Sequence, residues 1–152
     1  MKAFNKAKKV VYFNENLYHY RITDTQISSG NRYIHDTITP FNELLRELES
    51  FKDKVSDKRR FEEVFMVRAI GVLLWHLDHK YFHKEYKASI FKKRKSIIEI
   101  MNKEPYSRAL KEVDTTNLSK RAKLAVILFQ KNMVLLFVLI SRLNSLIRKF
   151  KR

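Results

Sequence analysis

The sequence predicts a mainly α-helical chain, an N-terminal β-hairpin or strand pair followed by a bundle of about four to five helices. Three observations predict it. Two glycines and two prolines in 152 residues leave little material for a turn-rich β fold. From Tyr33 onward apolar residues recur at steps of three and four, the period of helices that pack on one side. Before that point, residues 10–13 and 17–22 are short β-prone runs around Asn14-Glu15-Asn16, a tight-turn sequence, and residues 23–30 turn polar and end in Gly30. The expected organisation is therefore a strand-and-loop segment, residues 1–32, ahead of a helical domain, residues 33–152. A lone hairpin is marginal in water and needs a sheet or a helix to lie against. With 45% hydrophobic residues the chain can bury a core of its own.

The first helix is carried by Ile34, Ile38, Phe41, Leu45 and Leu48, with Glu43, Arg46, Glu47 and Glu49 opposite; Thr39-Pro40 starts its regular part, since proline suits a first helical turn. A second helix runs from about residue 57 to about residue 81, capped by Ser56 or Asp57. Its stretch 64–77 is apolar on nearly every side apart from Arg68 and His76, which makes it the central helix, with Trp75 as a packing anchor. The end of that helix spaces His76, His79 and His83 at three and four, as in some zinc sites. Lys80 and Lys84 would repel a dication and no Cys or Glu completes a tetrad, so no metal site is assigned, and the histidines are read as residues suited to a helix C-terminus.

A third helix is expected over residues 85–102, with Tyr86, Ile90, Phe91, Ile97, Ile98 and Met101 on its apolar side. Its middle, Lys92-Lys93-Arg94-Lys95, reads as a solvated face, with contact to phosphate or anionic lipid as the functional alternative. Glu104-Pro105 breaks the helix, residues 106–113 can form only a short one, and Asp114-Thr115-Thr116-Asn117 supply several N-caps for the next.

After Asp114 the chain has no acidic residue, and residues 124–129 and 133–140 are continuous apolar runs split by Gln130-Lys131-Asn132. A spanning helix wants about twenty mostly apolar residues, and a lysine near its middle costs about 2.5–3.5 kcal/mol on insertion scales. A helix lying in the membrane interface, or capping the core, is expected instead. Arg142, Arg148, Lys149, Lys151 and Arg152 are the residues that would meet anionic headgroups, or else complement the helix dipole.

Thirty-two Lys and Arg against sixteen Asp and Glu give a net charge of +16, which calls for an acidic partner: nucleic acid, anionic lipid or a phosphorylated substrate. The absence of cysteine excludes disulfides and thiolate metal sites and is in keeping with a cytoplasmic protein. The basic N-terminus is followed by more lysines rather than an apolar run, so no signal peptide is expected.

One stretch is more particular. Leu17-Tyr18-His19-Tyr20-Arg21, a few polar residues, and then Ile27-Ser28-Ser29 resembles a segment near the end of the catalytic domain in bacterial family 2 glycosyltransferases that build surface polysaccharides, where it commonly reads Leu-Tyr-x-Tyr-Arg…Ser-Ile-Ser. Gln26 stands where a serine is usual, and residues 8–16 look like the incoming strand of that family. The resemblance is sharpest over residues 8–30 and implies that this loop borders the active-site cleft of the whole enzyme. Arg21 would then face an anionic phosphate through its guanidinium, Ser28 and Ser29 would donate hydrogen bonds, and Tyr18 and Tyr20 would pack beside them.

The family holds a nucleotide sugar and a divalent metal through an Asp-x-Asp motif, with a later carboxylate as base; this sequence contains no Asp-x-Asp and no glycine-rich phosphate loop. The resemblance thus implies a C-terminal accessory part of a family 2 glycosyltransferase in cell-surface polysaccharide biosynthesis, not catalytic alone and without a cofactor of its own. Its expected partners are a separate catalytic half and an anionic membrane surface, at the inner face of which it would sit peripherally. Two other classes compete: a basic helical nucleic-acid-binding protein and a membrane-surface scaffold. Against the first, no recognition helix is evident and the aromatics fall at apolar-face positions, so no specific nucleic-acid partner is expected.

Overall fold

The structure, a computed structural model, describes residues 38–150, with side chains to residue 143. Six α-helices make up the described residues: α1 Ile38–Glu49, α2 Lys58–His76, α3 Ile90–Met101, α4 Tyr106–Glu112, α5 Lys120–Gln130 and α6 Val134–Phe150. The protein is mainly helical, as expected, with one helix more than the upper end of the expected four to five. The strand pair expected over residues 10–22 lies outside the described residues.

Helix α2 is the centre, and α1, α4 and α5 pack against it. The Asp57 carboxylate caps it, accepting from the Arg60 N–H at 2.9 Å. After an exposed first turn and Glu63, Val64, Arg68 and Gly71, at steps of four and three, continue an exposed stripe; Phe65, Met66, Ala69, Ile70, Val72, Leu73, His76 and Leu77 are buried. A helix buried on this many sides stabilises the fold through every neighbour at once, each fully buried Leu or Ile contributing about 1.5–3 kcal/mol. Past His76 the helix widens into one π-helical turn, Leu77–Tyr81, before the chain leaves it.

Helix α1 lays Leu45 into the core and Phe41 edge-on against Trp75, with ring centroids 4.9 Å apart, so Trp75 is the anchor its position implied. Helix α4 is pinned between α1 and α2. The Tyr106 hydroxyl donates to Asn42 Oδ1 at 2.7 Å, and Arg108 pairs with Glu49 while lying over the Phe65 ring at 5.6 Å. Burial of Tyr106 pushes its phenol up to about 12. Burial works against the Arg108 charge, but the Glu49 hydrogen bond and the charges of Glu49, Glu62 and Glu104 outweigh it and hold the guanidinium above its ordinary value.

The sixth helix comes from a turn that separates α5 from α6. Asn132 adopts φ 57°. The Asn132 N–H donates to the Phe129 carbonyl at 2.9 Å, and the Met133 N–H to the Leu128 carbonyl at 2.7 Å. That is the Schellman arrangement, and asparagine is one of the few side chains that tolerates its left-handed position. The two apolar runs therefore belong to two helices that pack on each other, and among the described residues no helix is long and apolar enough to cross a membrane.

Helix α3 begins five residues later than expected, because residues 82–89 turn back on the end of α2: the Tyr86 ring meets Tyr81 edge-on with centroids 5.2 Å apart. Ser89 then caps α3, accepting from the Lys92 N–H at 3.2 Å. Likewise α5 is capped by Ser119, while Asp114 closes a local turn onto Thr116 at 2.8 Å instead of starting a helix. The shift at α3 moves Phe91 off the core; it is 76% exposed and does not belong to the apolar side on which the sequence pattern had put it.

Candidate functional site

Helix α3 packs along α6. The stripe that faces inward on α3 repeats every four residues as Lys93, Ile97 and Met101, so a lysine occupies the first position of a core-facing row. Lys93 is 7% exposed, and its ammonium lies over the Tyr86 ring at 5.3 Å. Among the described residues no carboxylate pairs with it. Burial first, and the positive charge of Arg142 second, lower its tendency to hold a proton below that of an ordinary lysine.

Lys93 lines a cavity of about 700 Å³ between residues 82–89, the start of α3 and α6. Its other walls are Phe82, His83, Lys84, Tyr86, Lys87, Ala88 and Ser89 on one side and Val138, Ser141 and Arg142 on the other. Four of these residues are cations, and no Asp or Glu is among the described residues that line it. Lys84, Lys87 and Arg142 are exposed, so the charge is arranged as a buried floor and a solvated rim. Phe82 packs edge-on against Phe137 with centroids 5.8 Å apart, which ties the connection to α6 and shapes the wall. The positive end of the α3 dipole adds to the field, because the first N–H groups of a helix have no intrahelical acceptor. Such a site can hold negative charge; the described lining residues contain no pair of carboxylates for acid–base work.

The three histidines at the end of α2 do not share a face. His76 is buried edge-on to Tyr81, with centroids 5.5 Å apart. His79 stacks on Trp75 at 4.1 Å, its Nδ1 2.9 Å from the Trp75 carbonyl oxygen, while His83 lies beyond the helix at the cavity. The π-turn and the end of the helix at Tyr81 break the spacing that would have aligned them. Among the described residues no three His, Cys, Asp or Glu side chains gather as metal ligands.

Of the residues singled out in the sequence, Tyr18, Tyr20, Arg21, Ser28 and Ser29 lie outside the described residues, as do Lys151 and Arg152. Arg148 and Lys149 fall in α6 beyond the last described side chain. Arg142 is exposed on α6 and lines the cavity. Sequence reasoning marked the Lys92–Lys95 run but not which member matters. The signal was there: Lys93 stands four residues before Ile97 and eight before Met101, inside the apolar stripe rather than opposite it. No protein-family model matches the chain, and neither a curated protein nor a solved structure matches it at a significant level.

Proposed function

We propose that the chain is the C-terminal helical accessory part of a family 2 glycosyltransferase acting in cell-surface polysaccharide biosynthesis in the cytoplasm, and that glycosyl transfer itself belongs to a separate catalytic half. The observation that carries this reading is the run Leu-Tyr-x-Tyr-Arg…Ile-Ser-Ser at residues 17–29, followed by a helical domain of its own. On this reading Arg21, Ser28 and Ser29 border the cleft of the assembled enzyme. Isothermal calorimetry with UDP, GDP and dTDP, with and without manganese or magnesium, is the test: the lone chain is expected to show no tight metal-dependent binding. A metal-dependent micromolar affinity would overturn the reading.

A second role, peripheral contact with an anionic bilayer, is favoured by one feature of α6. Leu136, Leu139 and Leu143 recur at steps of three and four on its outer face, each at least 39% exposed, beside the exposed Arg142 and ahead of further basic residues. Buried apolar area and polybasic attraction are the two terms interfacial binding needs. Flotation with phosphatidylglycerol vesicles should retain the chain more than flotation with phosphatidylcholine, and salt should weaken it. Unchanged binding after deletion of residues 148–152 would remove the electrostatic half of this role.

A further inference from the structure

We propose that the cavity between residues 82–89, the start of α3 and α6 is a binding site for a phosphate group carried on a small organic body, with Lys93 as its floor and Arg142, Lys84 and Lys87 as its rim. The argument starts from cost. An ammonium on an enclosed side chain loses part of its hydration, a loss that a partner of opposite charge compensates. Lys93 is 7% exposed, and among the described residues the charge that acts on it from α6 is another cation, Arg142. From the connection it is faced by Tyr86 and lined by His83, Lys84 and Lys87, and a ring face recovers only part of the hydration energy. A cluster of this sign does not hold itself together, so an anion is the missing member.

Charge and size narrow its class. Four cations around one cavity suit a group with more than one negative charge, and an arginine on the rim gives the forked geometry that phosphate oxygens accept. A bare phosphate ion would leave most of about 700 Å³ unfilled, whereas a phosphate ester also uses the apolar wall of Phe82, Tyr86 and Val138. Ser89 and Ser141 supply hydroxyls at opposite sides, and the α3 N-terminus directs its partial positive charge to the same place. The same phosphate chemistry is presented by soluble esters and by lipid headgroups. This site does not depend on the glycosyltransferase reading, because it is built from residues 82–142 alone.

The experiment is a binding series on the full chain with inorganic phosphate, pyrophosphate and glycerol phosphate at matched ionic strength, and in parallel with phosphatidylglycerol vesicles. Saturable binding by a soluble phosphate compound is expected, with ligand at about tenfold its Kd raising Tm by roughly 3–6 °C. Lys93→Met should weaken binding at least tenfold and Arg142→Gln severalfold, the second at a surface position that leaves folding intact. Should only the vesicles bind, and lose binding in Lys93→Met, the phosphate is that of a headgroup. Binding of every probe equally by wild type and Lys93→Met, or no saturable binding by any of them, overturns the proposal. Binding at this site needs no metal, whereas the glycosyltransferase reading is tested by the metal dependence of nucleoside diphosphate binding, so the two readings fail separately.

Discussion

Arg108 and Lys93 are both cations held over an aromatic ring at a helix interface, and their surroundings are opposite. Arg108 sits between α1, α2 and α4 with Glu49, Glu62 and Glu104 around it, and its charge is favoured. Lys93 sits between α3 and α6 beside Arg142, and its charge is disfavoured. Nor is the first site saturated: Arg108 Nε and Glu62 Oε2 are buried without a hydrogen-bond partner among the described residues, so the clasp works through net charge and the Glu49 contact. The difference teaches how to tell a structural cation from one that awaits a ligand. Lys93 is the more buried of the two, but the sign of what surrounds each is what sets their charges apart.

The largest break in this comparison should come from Arg108. Arg108→Met leaves Glu49 without its partner and Glu62 with Lys52 alone, and urea denaturation should show a loss of about 2–3 kcal/mol at neutral pH, less than for a fully buried pair because both side chains are partly exposed. A loss under 1 kcal/mol would mean the clasp is ornamental. Next in size is the neighbouring Tyr106. Its phenol is raised from an ordinary 10 to about 12, so the native state keeps a proton the unfolded chain gives up between those values. Stability should therefore fall by roughly 2–3 kcal/mol as pH climbs from 10 to 12, and Tyr106→Phe should lack that fall while losing about 1 kcal/mol with the Asn42 hydrogen bond. Equal alkaline slopes in both proteins would contradict it.

Lys93→Met should do the reverse of Arg108→Met. With no phosphate present, removal of a partly desolvated cation that lacks a carboxylate partner should raise stability by about 1 kcal/mol. Wild type should also gain stability as pH rises through the lowered Lys93 value toward that of a free lysine, because the charge is shed there first in the folded state; the variant should not. Smallest is Gly71→Ala on the exposed stripe of α2, where an added Cβ meets nothing within 4 Å. Helix propensity alone predicts a gain of about 0.5–1 kcal/mol, a reference against which the Lys93 effect can be scaled.

What the sequence made legible follows the same line between local and non-local causes. The Asp57 cap, the central role of α2 and the Trp75 anchor are set by period and by a side chain bonding three residues ahead, and all are found. The late start of α3 is not local: it depends on Tyr86 folding back onto Tyr81, which no window of helical spacing contains. The split between α5 and α6 rests on one left-handed asparagine, which sequence marks only as a polar interruption. The cavity was half legible. The basic run stood out, but a single run of four like charges hides the one that points inward until α6 is known to cover it. The residues of the glycosyltransferase resemblance, by contrast, lie in the part of the chain outside the described residues.

The central claim is that Lys93 is an enclosed cation, opening to a cavity and short of an anion. Its most direct test is the titration of the Lys93 side chain followed by NMR of its ζ nitrogen or ε carbon, assigned by comparison with Lys93→Met. The account predicts a pKa below that of an ordinary lysine in phosphate-free buffer, with Tyr86, His83, Lys84, Lys87 and Arg142 as its neighbours, and a rise when pyrophosphate is added. An ordinary lysine value that pyrophosphate does not move would contradict it.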